Sequence, residues 1–80
     1  MIIKRLPNRK KYKTKQLDIG NKIKTAREEC GLSQGELADL VGYDSATAIS
    51  LMEGNKRKTS AVNLLKISRI TNLPVTFFYE

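Results

Sequence analysis

The chain has 80 residues, with fifteen Lys plus Arg, eight Asp plus Glu, no His, one Cys and a formal charge of +7. That length supports one domain with a modest core, and a hydrophobic content of 40% argues against wholesale disorder. Without His and with one Cys, a His-based triad, a His/Cys zinc site and an internal disulfide are excluded, so no enzymatic, metal or cofactor role is expected.

The amino end is the most lopsided part. Residues 1–16 hold Lys4, Arg5, Arg9, Lys10, Lys11, Lys13 and Lys15 with no acid, and the rest of the chain balances to zero. A block of like charge stays extended until it meets opposite charge, and cations over a phosphate backbone release counterions. Residues 1–16 are therefore expected to form a basic arm whose Arg9, Lys10 and Lys11, with Arg5, follow a nucleic-acid groove. A tail that only aids solubility is the plainer alternative. Met1-Ile2-Ile3 is at most a stub of strand.

Residues 17–80 read as an all-α domain of four to five short helices. Ile19, Ile23, Ala26 and Cys30 share one helical face, with Asp18 as cap and Gly31 as the left-handed stop, predicting a first helix over 19–30. Cys30 is expected to act as a small core hydrophobe. Ser33-Gln34-Gly35-Glu36 has the pattern of a capping box ahead of Leu37, Leu40 and Val41, and Gly42 closes that second helix. Asp44 and Ser45 are expected to cap a third, with Ile49, Met52 and Glu53 inward and Gly54-Asn55 at its end. Lys56, Arg57 and Lys58 form a basic loop. Thr59 and Ser60 are the expected caps of a fourth helix carrying Ala61, Leu64, Leu65, Ile67 and Ser68. Asn72-Leu73-Pro74 stops it, and a last turn brings Phe77, Phe78 and Tyr79. No run of about 20 apolar residues is present, which predicts a cytoplasmic protein without a membrane partner.

Two short helices joined by about three residues with Gly in the turn describe a helix-turn-helix, and Ala38 supplies the small residue where the helices touch. The stretch Ile19-Gly20, Arg27-Glu28-Glu29, Gly31-Leu32-Ser33-Gln34-Gly35-Glu36-Leu37-Ala38, Gly42, Ile49-Ser50, Glu53 and Lys56-Arg57-Lys58 resembles the phage repressor/Cro-type (XRE family) helix-turn-helix domain from about Asp18 to Phe78. The resemblance implies a lambda-repressor-like bundle that binds operator DNA as a dimer and acts as a transcriptional repressor. It places Gln34 at a phosphate and the third helix in the major groove, presenting Ser45, Ala46, Thr47, Ser50 and Leu51. Asn55, Lys56, Arg57 and Lys58 then lie beside the backbone, and Arg27 and Glu53 match an ion pair between the first and third helices.

One departure from the family pattern and one feature of the recognition face stand out. Gly42 and Ile49 are seven residues apart where the family commonly has six, so one residue is expected to be inserted near Tyr43-Asp44. The recognition face also lacks Arg, Asn and Gln, the side chains that make bidentate base contacts. Part of any sequence preference is therefore expected from the arm. Phe77, Phe78 and Tyr79 cannot all bury in one turn, which leaves a two-fold contact through this segment as one use for them. The antitoxin of a toxin–antitoxin pair and an RNA-binding module working through the arm are the rival functions.

Overall fold

In the computed structural model, residues 17–80 are described, and residues 1–16, with the expected arm and its Arg9, Lys10 and Lys11, lie outside them. The described chain runs α1 (Ile19–Glu29), α2 (Gln34–Val41), α3 (Ala46–Glu53), α4 (Ala61–Thr71) and a final 3-10 helix (Val75–Tyr79). No strand occurs among the described residues, in keeping with the all-α reading.

Each helix begins or ends where local chemistry allows it. Asp18 caps α1 by accepting the Asn21 N–H at 3.0 Å. Cys30 is the last cap of α1, and Gly31 follows it at a φ of 72°. At α2 the capping box is complete in both directions. Glu36 N–H donates to Ser33 Oγ at 3.0 Å, and Ser33 N–H donates to Glu36 Oε1 at 2.8 Å. Gly42 ends α2 at a φ of 105°, which a side-chain-bearing residue rarely adopts.

The core draws on every element. Ile23 and Ala26 of α1, Leu37, Ala38 and Val41 of α2, Ile49 and Met52 of α3, Leu64 and Ile67 of α4, and Phe78 of the 3-10 helix are buried together. Ala38 is fully buried, in the position a close helix crossing requires.

Several local expectations are corrected. Ser45 is extended at the start of α3, but neither it nor Asp44 supplies a side-chain cap bond. Ser60 alone caps α4, through the Asn63 N–H at 3.1 Å, while Thr59 stands outside. Cys30 is exposed rather than a core residue, its thiol directed at the Thr71 carbonyl at 3.5 Å. The helix ends before it, so the expected apolar face stops at Ala26. Leu40, Ala61 and Leu65 are likewise exposed. In these short helices the apolar stripe is narrow, and Leu37, Ala38 and Val41 of α2, or Leu64 and Ile67 of α4, are its apolar residues that enter the core.

Of the terminal aromatics, Phe78 is fully buried, Phe77 is half-buried beneath the Lys22 ammonium at 4.7 Å, and Tyr79 is exposed. The two phenylalanine rings meet edge to face at 5.3 Å.

Candidate nucleic-acid interface

The third helix has two unlike faces. Ala48, Ile49 and Met52 are buried, whereas Thr47, Ser50 and Leu51 are exposed and Ala46 is half-exposed. Ser45, at the start of the helix, is exposed as well. Of the five residues expected on the outer face, Ala46, Thr47, Ser50 and Leu51 share one side of an eight-residue helix and Ser45 stands at its start.

The inner end of α3 is fastened by charge. Arg27 Nε donates to Glu53 Oε2 at 2.6 Å and its terminal nitrogen donates to Glu53 Oε1 at 3.2 Å. The other guanidinium nitrogen donates to the Leu32 carbonyl at 2.8 Å, across the loop that joins α1 to α2. Both side chains are nearly removed from water, at 11% and 5% exposure. The Glu53 hydrogen bond raises the proton affinity of the Arg27 guanidinium above its ordinary value, against the opposing effect of burial. Desolvation offsets much of the attraction in such a pair, so its main effect is to fix where α3 lies across α1.

Gln34 joins this cluster. Its amide Nε2 donates to Glu53 Oε1 at 3.0 Å, so one carboxylate receives donors from α1 and from α2. The side chain expected to reach a phosphate instead holds α2 against α3.

A second fastening lies just beyond the helix. Asn55, at a φ of 58°, accepts the Gly20 N–H on Oδ1 at 3.0 Å and donates from Nδ2 to Asp18 Oδ1 at 2.6 Å. The Asn55 Nδ2 bond, with the Asn21 N–H, holds the Asp18 carboxyl below its ordinary range. Gly20 has to be glycine for this approach. A Cβ there would lie 2.5 Å from the Glu53 carbonyl oxygen, 2.7 Å from Asn55 Oδ1 and closer still to the Met52 carbonyl oxygen. The family resemblance assigns Asn55 to the DNA backbone, and Gly20 enters it without a stated role. A glycine in the first turn of a helix, in register with a left-handed Asn, is the signal that was present.

Lys56, Arg57 and Lys58 follow at once and are all exposed. The loop folds back on α3, with the Lys56 and Arg57 N–H groups both donating to the Leu51 carbonyl, at 2.8 and 3.2 Å. Three cations are thus held at the C-terminal end of the exposed face, as the spacing predicted.

A helix between two fastenings, with a free outer face and a cationic edge, is the arrangement of a recognition helix. The family model for the helix-turn-helix matches residues 23–78. The chain belongs to the XRE-type helix-turn-helix family.

Individual members give the same answer. An uncharacterised helix-turn-helix-type transcriptional regulator of Sinorhizobium medicae is 32% identical over 75 residues, 94% of this chain. The chain spans about half the length of that relative, 53%. Among solved structures, SinR, the master regulator for biofilm formation, in complex with DNA, is 32% identical with a TM-score of 0.69. That match covers 78% of this chain and 98% of SinR. The P22 c2 repressor bound to a synthetic operator is 28% identical with a TM-score of 0.69, covering 80% of this chain and 94% of the repressor. In this family's terms α2 and α3 are the helix-turn-helix, and residues 42–45 are its turn.

Proposed function

We propose that this helix-turn-helix chain is a sequence-specific DNA-binding transcriptional regulator that acts as a repressor. The observation that carries the reading is the exposed outer face of α3, set between the Arg27–Glu53 pair and the Asn55 staple and bordered by Lys56, Arg57 and Lys58. Membership of a family in which SinR and the P22 c2 repressor are seen on DNA supports it.

In this reading the first turn of α3 enters the major groove, where Thr47 and Ser50 donate or accept single hydrogen bonds. The Ala46, Thr47 and Leu51 carbon atoms meet thymine methyl groups. Lys56, Arg57 and Lys58 contact phosphates, and the basic N-terminal segment with Arg9, Lys10 and Lys11 adds affinity along the neighbouring groove. The N-terminal end of α2 presents backbone N–H groups to a phosphate, with Gln34 acting behind them. The protein works in the cytoplasm as a dimer on half-sites about one helical turn, roughly 34 Å, apart.

Selection of bound sequences from random duplex DNA tests specificity, symmetry and half-site spacing together. A preferred, two-fold-symmetric sequence is the expected result; recovery of no preferred duplex overturns the reading. Removal of residues 2–15 should then weaken binding to selected and random DNA, and an unequal loss marks the arm as a reader of groove width. Co-purification of a second chain would point to the antitoxin role, and preference for RNA over duplex DNA to the arm-only module.

A further inference from the structure

The turn of the helix-turn-helix carries an aromatic side chain that lies outside the face offered to the bases. Tyr43 is half-buried, and its N–H donates to the Ala38 carbonyl at 2.8 Å. The Arg57 guanidinium lies over its ring, 5.0 Å from the ring centroid. Its hydroxyl accepts a hydrogen bond from Asn63 Nδ2 in the first turn of α4. The Asn63 N–H is in turn held by Ser60 Oγ at 3.1 Å. One ring therefore joins the turn, the cationic loop and α4.

Resting on the DNA-binding reading above, we propose that Tyr43 is a positioning residue that holds Arg57 ready for one backbone phosphate. Of the three loop cations, Arg57 alone has an aromatic partner among the described residues. An exposed arginine surrenders rotamer freedom when it binds, and stacking beforehand removes part of that cost. The guanidinium suits this better than an ammonium: contact with the ring through its central carbon leaves outward N–H groups for a phosphate oxygen. The ring hydroxyl is held by Asn63 of α4 and the Tyr43 backbone by the Ala38 carbonyl of α2, so the ring does not swing with the loop. Lys56 and Lys58 have no such support among the described residues and contribute charge alone. The residue where sequence reasoning expected an insertion thereby sets the lateral position of the recognition helix along the backbone.

The test is a double-mutant cycle on full-length protein, read by affinity for selected and random duplexes across a salt series. Tyr43→Leu should weaken both duplexes about 3-fold, the size of an exposed cation–π contact, and Tyr43→Phe should stay within about 2-fold of wild type. Arg57→Ala should weaken both and reduce the logarithmic salt slope by about 0.9, one phosphate. In the Arg57→Ala background, Tyr43→Leu should cost nothing more. A purely structural tyrosine would weaken binding equally with or without Arg57, and that additivity overturns the proposal. In the free protein, the Arg57 side-chain protons should show a ring-current shift that disappears in Tyr43→Leu; its absence in wild type also overturns the proposal. If wild type binds no duplex, the phosphate contact falls together with the proposed function, whatever the ring-current result.

Discussion

The two faces of α3 are built on opposite principles. Inward, Ile49 and Met52 are packed to nearly zero exposure, and Glu53 receives donors from Arg27 and Gln34. Outward, Thr47, Ser50 and Leu51 touch solvent, and Leu51 leaves 38% of its surface uncovered. A helix a few turns long cannot orient itself, so position is imposed from behind and chemistry is offered in front. Changes on the inner face should therefore alter the fold, and changes on the outer face should alter only what is bound.

The largest effect should come from breaking the ion pair on one side. Arg27→Met alone leaves the Glu53 carboxylate buried, and should cost about 3–5 kcal/mol in chemical denaturation. Arg27→Met with Glu53→Leu should regain most of that loss, because no charge is then stranded. Failure of the double variant to recover would mean that the pair contributes more than orientation.

Gly20→Val should cost about 3 kcal/mol or a little less, since the new side chain must displace backbone oxygens rather than a flexible side chain. Calorimetry would show a lower Tm. Ser33→Ala removes one arm of the capping box and should cost about 1 kcal/mol. Thr47→Ala and Ser50→Ala should each change stability by less than about 0.5 kcal/mol, yet change the sequence preference recovered by selection. A fall in Tm comparable with that of Ser33→Ala would refute the division between faces.

The smallest effect concerns Asp18. Its folded-state pKa is lowered by Asn55 and the Asn21 N–H, so its contribution is present above the ordinary aspartate range. That contribution is lost as pH falls through this range toward the lowered folded value. Asp18→Asn should therefore lower Tm slightly at neutral pH, with the difference from wild type shrinking at acid pH.

Much of this architecture was legible because its determinants are local. The capping box at Ser33 and Glu36, the left-handed Gly31 and Gly42, and the Ile49 and Met52 spacing each depend on residues within one or two turns. The expected burial of Cys30 failed, and Leu40 and Leu65 on similarly patterned helices are exposed as well, for a common reason. Helical spacing says which residues share a face, but not how wide a stripe the neighbouring helices cover.

The interface divides along the same line. The outward side of α3, with Ala46, Thr47, Ser50 and Leu51, and the cationic loop were readable from the pattern, and the Arg27–Glu53 pair from its family positions. The Gln34–Glu53, Gly20–Asn55 and Tyr43–Asn63 bonds were not, because they join residues 19, 35 and 20 positions apart. Sequence alone determined the helices, their punctuation, and the side chains available to a groove. Tertiary structure decided which polar groups face inward to hold α3 and which remain free for a partner. A donor or acceptor is neutralised only by the group that folding brings to it, and periodicity along the chain contains no record of that meeting.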